Sequence, residues 1–282
     1  MPTSPLSSAQ AARRALATRL KELRQDAEIT GRELAVRCGW SAAKVSRIEN
    51  GVTPPSSQDI RDWCRYCGAQ GEEADLIAAN RSADSMYTQW RREHRTGMRR
   101  KQDQILQGYE QTQQFRIYCS NVVPGIMQTP EYARALMTMI TRFQGTPDDV
   151  EEAVVARVAR GRLLREGDRR FAVLLEEAVL RHCLGGTEVM AGQLGYLLSV
   201  MSLPSVSLGI IPAGAPRHMW PLEAFYLCDE RDLEVETLTA EINITAPGEL
   251  ADYARAFGEL AKSAVYGPAA RSLITSAIVA LG

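Results

Sequence analysis

Thr30-Gly-Arg-Glu-Leu-Ala-Val-Arg-Cys-Gly-Trp-Ser-Ala-Ala-Lys-Val-Ser-Arg-Ile-Glu-Asn-Gly51 is the stretch on which the reading of the chain turns. Thr30 followed three residues later by Glu33 can satisfy two helix-end donors reciprocally, so a helix is expected from Thr30 to about Arg37. Gly39 supplies a turn, Trp40 an apolar plug, and Ser41 an oxygen that can cap the next helix, which Asn50-Gly51 stops. Upstream, Leu16, Leu20, Leu23 and Ala27 recur at helical spacing among Arg19, Lys21, Glu22 and Arg24. Downstream, Thr53-Pro54-Pro55 is a rigid break. Ser57 then opens a fourth helix containing Ile60, Trp63 and Cys64, and a fifth covers about Glu72 to Arg81.

Two short helices joined across a glycine turn, inside five helices, outline an all-α helix-turn-helix domain over 13–84, preceded by a loose, disordered tail at 1–12. The chain has 282 residues, room for a second domain, with 45% hydrophobic and 24% charged residues. That composition excludes disordered, collagen-like and disulfide-scaffold classes. No apolar run approaches the length of a spanning helix, and Met1 to Gln10 is Pro/Ser-rich rather than a basic start before an apolar run, so a cytoplasmic protein away from membranes is expected. Six thinly scattered Cys then read as reduced thiols. The net charge of -1 hides an asymmetry: residues 1–101 carry 18 Lys and Arg against 12 Asp and Glu, and the remainder 15 against 22. A basic module on an acidic remainder suits a DNA-binding domain joined to another function. The excess is densest at 85–103, read as a basic helical linker in which Arg91, Arg92, Arg95, Arg99, Arg100 and Lys101 either touch phosphate or form a solvated face.

Past Gln102 the periodicity is mixed. Helical stretches at Gln104 to Tyr118, Pro130 to Arg142, Asp148 to Arg165, Glu188 to Met201, Gly248 to Tyr266 and Ala269 to Leu281 alternate with strand-like runs at Phe171 to Leu175, Val206 to Ile211, Ala224 to Cys228 and Leu233 to Thr239. The expectation for 104–282 is an α+β domain with a small, mainly antiparallel sheet of about four strands.

The runs Leu20-Lys-Glu-Leu-Arg24, Gly31-Arg-Glu-Leu-Ala35 and Gly39 to Gly51 resemble the phage-repressor, or Xre-type, helix-turn-helix family. The segment Val123 to Arg134, with Glu176 to His182, Gln193-Leu194 and Ile210 to Ala213 before Phe225, resembles the DUF5753-type domain carried by many actinobacterial helix-turn-helix regulators. The resemblance implies a regulator of transcription, often encoded beside a small DUF397-type protein in pairs likened to toxin-antitoxin systems, and it implies no settled ligand or catalytic residue. It also implies that Arg24 and Glu49 form a structural ion pair tying the first helix to the third. The family often places Gln, as a phosphate contact, at the position held here by Gly31.

On the third helix Val45 and Ile48 share one face, leaving Ala43 and Arg47 near the opposite face, flanked by Ala42, Lys44 and Ser46. That face can enter a major groove of double-stranded DNA. Arg47 is the specificity candidate because arginine can bond guanine O6 and N7 together, whereas alanines meet only thymine methyls. Lys44 suits a contact at the groove edge, Ser41 a cap that also meets phosphate, and Arg32 and Asn50 complete the DNA-binding set.

Elsewhere the chemistry is thin. Cys64-Arg-Tyr-Cys67 lacks the second ligand pair of a closed zinc site and reads as core, so no metal or cofactor is expected. His94, His182 and His218 lie far apart, and Glu176-Glu177 answers a helix start. Ile126, Met127 and Tyr132 read mainly as a helix entry and alternatively as a pocket or partner groove. Arg217, His218 and Trp220, on a loop, are further partner or ligand candidates. No nucleophile and base can be paired, so no enzyme is expected. A homodimeric DNA-binding regulator whose C-terminal domain dimerises and binds a small protein or ligand is the leading reading. The alternative is an antitoxin-like protein that sequesters a small DUF397-type partner and binds DNA only for autoregulation.

Overall fold

The computed structural model describes the chain over 5–85 and 87–282, with the side chains of 5–11, 78, 81–85, 87–89 and 91–92 outside the description. The chain divides into two compact units, Met1–Thr88 and Gln89–Gly282.

The first unit contains α1 (Pro5–Asp26), α2 (Gly31–Cys38), α3 (Ala42–Glu49), α4 (Ser57–Cys67) and α5 (Glu73–Ser85). Helix α1 takes in most of the span expected as a loose tail: Ala12, Ala15 and Ala17 favour helix, and a proline is tolerated at its first position. Residues 1–4 lie outside the description. Its Leu16, Leu20 and Leu23 meet Leu34, Val45, Ile48, Ile60 and Trp63 in one core. Trp63 Nε1 donates to the carbonyl of Leu20 at 2.8 Å, so the indole is buried with its polar atom satisfied. The fourth helix is capped by Ser56, one residue before the expected Ser57, through a reciprocal pair of bonds with Asp59.

A three-residue strand, β1 (Tyr87–Gln89), spans the boundary in sequence, and the second unit then opens with a short α6 (Trp90–Glu93). There follow α7 (Arg99–Gln111), β2 (Gln114–Cys119), α8 (Pro130–Gln144), α9 (Val150–Ala159), β3 (Arg170–Glu176), α10 (Thr187–Val200) and β4 (Val206–Ile211). The chain ends with β5 (Phe225–Cys228), β6 (Asp232–Glu236), β7 (Ala240–Ile244), α11 (Pro247–Ala261) and α12 (Gly267–Val279). Gly97, at φ 101, is where the segment before α7 comes so close to Asp149 that a Cβ would collide with it. The Asp149 carboxylate accepts from the amides of Met98 and Arg99 at 2.7 and 2.8 Å, satisfying the start of α7.

A small, mainly antiparallel four-stranded sheet is not what forms. Among the described residues of the second unit, one mixed sheet of six strands runs in the order β7-β6-β5-β2-β3-β4. β2, β3 and β4 are parallel, while β2-β5, β5-β6 and β6-β7 are antiparallel. Parallel neighbours need crossover helices, and α8, α9 and α10 are those crossovers. Phe115, Phe171 and Val206 share a row on one face, under Leu194, Leu197, Ile274 and Ala277 from α10 and α12. On the other face Phe225 meets Tyr118 and, edge-on, Tyr253 and Phe257 of α11. Covering on both faces explains why every residue of β5 is buried, a pattern without alternation.

Candidate nucleic-acid interface

Thr30 and Glu33 form the capping box: the Thr30 amide donates to Glu33 Oε2 at 2.8 Å and the Glu33 amide to Thr30 Oγ1 at 3.2 Å. The bond from the Thr30 amide, first among its causes, holds the Glu33 carboxyl below its ordinary value. Gly39 closes α2 in the left-handed region at φ 67, and a Cβ there would meet nothing within 4 Å, so it is the turn alone that demands glycine. Trp40 then tilts against Trp63, with ring centroids 6.1 Å apart. Ser41 Oγ accepts from the amide of Lys44 at 3.2 Å and starts α3.

Helix α3 buries Val45 and Ile48 and bares Ala42, Ala43, Ser46 and Arg47. Ala43, Arg47 and Asn50 fall on one stripe at successive turns. Arg47 and Arg32 carry no hydrogen bond or ion pair with the described residues, so both guanidiniums are available. Asn50 is partly used: its Nδ2 donates to the Ser46 carbonyl at 2.7 Å and closes α3. Lys44 is also engaged within the protein. Its Nζ lies 2.6 Å from Asp59 Oδ1 and 4.3 Å from the Trp40 ring centroid, fastening α3 to α4. Burial opposes ionisation of Asp59, but bonds from Lys44 and Ser56 outweigh it and lower its carboxyl pKa.

Arg24 grips Glu49 with two bonds, Nε to Oε1 at 2.5 Å and Nη2 to Oε2 at 3.2 Å, and its Nη1 reaches the Ile29 carbonyl at 2.6 Å. Each side chain keeps only 12% of its surface. The fork joins the end of α1, the turn before α2 and the end of α3.

The candidates in the second unit fare differently. Ile126, Met127 and Tyr132 are fully buried core residues, so they line no exposed groove. Gln193, also buried, clasps that loop by donating to Met127 O and accepting from the Thr129 amide. Arg217 is engaged: its Nη1 and Nη2 each lie 2.7 Å from an oxygen of buried Glu176, which also accepts from Tyr118. Glu177 accepts from the Ala213 amide and from Arg181. The acidic pair therefore anchors a loop. His218 and Trp220 stay exposed. His94 is buried, stacked on Trp90 and bonded to Gln144, and burial lowers its pKa. Cys64 is core, its thiol pushed up to about 11 by burial, and no three His, Cys, Asp or Glu gather to hold a metal among the described residues. In the connector, Lys101 is paired with Glu241 at 2.7 Å, Arg95, Arg99 and Arg100 are exposed, and Arg91 and Arg92 fall among the side chains outside the description. Reading by sequence missed the buried cluster in which Arg157, near the end of α9, and Arg160, in the turn after it, donate to Gln102. Its signal was faint: two arginines three residues apart at the end of an apolar helix.

A module of this shape, with an unpaired arginine on the outer face of its second short helix, is that of a DNA-binding helix-turn-helix regulator. Residues 15–77 match a family model described as a helix-turn-helix domain. Residues 103–276 match the model described as a domain of unknown function (DUF5753), and the chain belongs to that family. No curated protein and no solved structure matches it. No helix among the described residues is long and apolar enough to cross a membrane.

Proposed function

We propose that this chain is a sequence-specific transcription regulator of the Xre type that acts in the cytoplasm as a homodimer on paired half-sites, reading the major groove with α3. The observation that supports it is Arg47, exposed and unpaired beside Ala43 on a helix whose other face is fixed by Val45, Ile48 and the Arg24–Glu49 fork. One recognition helix reads few base pairs, which favours a two-fold arrangement. The DUF5753 unit dimerises and takes a small protein or ligand whose binding shifts DNA affinity by linkage; it works by binding and not by turnover. Fluorescence anisotropy on DNA from the region upstream of its own gene, with sedimentation of the complex, tests this. Preference for that DNA over a shuffled control, with two chains per site, supports it. Co-purification of a stoichiometric small DUF397-type protein without DNA preference favours the antitoxin-like alternative.

A further inference from the structure

Two of the three faces of α8 are committed to the fold. Ala133 and Met137 pack on Val150, Ala153 and Val154 of α9, with Arg134 locked to Glu151 by two bonds at that margin. Tyr132, fully buried, belongs to the main core, and Leu136 packs against that core. The third face is bare. Met139 is 52% exposed and Phe143, one turn on, 70%, although both residue types are usually inside.

Beside these two side chains runs a line of Glu131, Ala135, Thr138 and Arg142, at intervals of four, three and four residues, the spacing of a seam between two helices. Its ends, about three turns apart, are oppositely charged. Both end residues are exposed, and neither forms a hydrogen bond or ion pair with the described residues. The N-terminal half of this face is low. Ala135 is small, and the exposed turn at Gly185 and Gly186 lies so close alongside that a Cβ on Gly185 would come within 2.8 Å of Ala135 Cβ. The C-terminal half is high, raised by Met139 and Phe143.

A two-fold axis through the middle of α8 sets an antiparallel copy against this face, with Glu131 of each chain at Arg142 of the other and with Met139 and Phe143 over the other chain's low half. Acid then meets base at both ends and large meets small on both sides, which is the self-complementarity that an isologous contact requires. An unrelated partner needs no such symmetry. The helix dipole accounts for an acid in the first turn and a base in the last, but not for the exposed Met139 and Phe143 beside them. We propose that a second copy of this chain docks on this face, α8 against α8 and antiparallel, and that this is the dimer contact of the DUF5753 unit. The proposal deepens, and rests on, the homodimer reading above.

Sedimentation equilibrium of the full chain over a range of concentrations, alone and on DNA from upstream of its own gene, tests it. Wild type alone is expected to be a dimer, and Met139→Glu with Phe143→Glu a monomer over the same range with an unchanged unfolding midpoint, since both side chains already stand in water. Glu131→Arg and Arg142→Glu should each weaken the dimer by about tenfold, because each sets like charges together at two symmetric places. Both changes in one chain should restore it to within about threefold, because the pairing is only reversed. Charges that served the helix dipole alone would show no such recovery. Failure of the combined change to recover, or a dimer that survives Met139→Glu with Phe143→Glu, overturns the proposal and leaves the homodimer reading standing with its contact elsewhere. A wild-type chain that is monomeric alone also overturns the proposal, and if it is monomeric on DNA as well, the homodimer reading falls with it.

Discussion

Lys44 Nζ lies 2.6 Å from Asp59 Oδ1, so of the two cations on α3 one holds α4 and the other, Arg47, is exposed without an ion pair among the described residues. Asp59 is held from its second oxygen as well, which accepts from the Ser56 amide at 2.9 Å. One carboxylate thus caps α4 and positions it against α3.

Lys44→Ala is therefore expected to act mainly on stability. The pair is partly shielded and the ammonium also rests on Trp40, so the loss is about 1 kcal/mol. DNA affinity falls slightly for all sequences while the ratio between specific and shuffled DNA holds. Urea denaturation and anisotropy on the same variant check both halves.

Arg24→Ala has a different consequence. The fork to Glu49 is nearly closed to water, and removing one partner strands the other charge, at a cost of about 3 kcal/mol. Glu49→Ala is expected to cost a similar amount, and the double variant less than the sum of the two. Denaturant midpoints of the full chain give the cycle, and additive losses would refute the coupling.

Gly31 stands where the resemblance to Xre-type modules places a phosphate-binding Gln. Its φ is ordinary, and a Cβ there would meet only Val45 Cγ1, at 3.6 Å, so a side chain fits. Gly31→Gln is expected to add about 0.5 kcal/mol of stability and to tighten binding to specific and shuffled DNA alike by about threefold, since phosphate contacts carry no sequence information. Anisotropy titrations on both DNAs measure it.

Glu234 sets a pH dependence. Burial and the charges of Glu241 and Glu236 raise its carboxyl to about 7, against the opposing pull of Lys101 and Arg160. An acid whose folded value lies above the unfolded one weakens the fold once ionised. The penalty is absent below the unfolded value of 4.5 and complete above about 7. Glu234→Gln should stabilise the chain by about 1 kcal/mol near pH 8 and by almost nothing near pH 5. Denaturation midpoints at the two pH values decide it.

The first unit was legible because its signals are local. Thr30 with Glu33, Gly39 and Ser41 each fix a helix end within a few residues, and they form the bonds their spacing predicts. The pairing of Lys44 with Asp59 was not legible because Asp59 lies on another helix, and periodicity reveals a face but not what leans against it. The sheet was harder. Gln114–Cys119 was absorbed into the preceding helix because no glycine or proline separates them; Thr112, which ends α7 in an extended conformation, is the only break. Ala240–Ile244 was passed over because Glu241 and Asn243 look like turn residues, although they pair in register with Glu236 and Glu234 of β6. Parallel pairing is set by crossovers dozens of residues long, which no short window records. Ile126, Met127 and Tyr132, read mainly as a helix entry, are buried in the core.

The most direct test of α3 as the reading element is anisotropy of wild type and Arg47→Ala on DNA from the region upstream of the chain's own gene and on a shuffled control, across salt. The account predicts that wild type prefers its own DNA by about a thousandfold, and that Arg47→Ala loses about 1 to 3 kcal/mol of that preference while its unfolding midpoint stays put. A folded Arg47→Ala variant that keeps the full preference would contradict it.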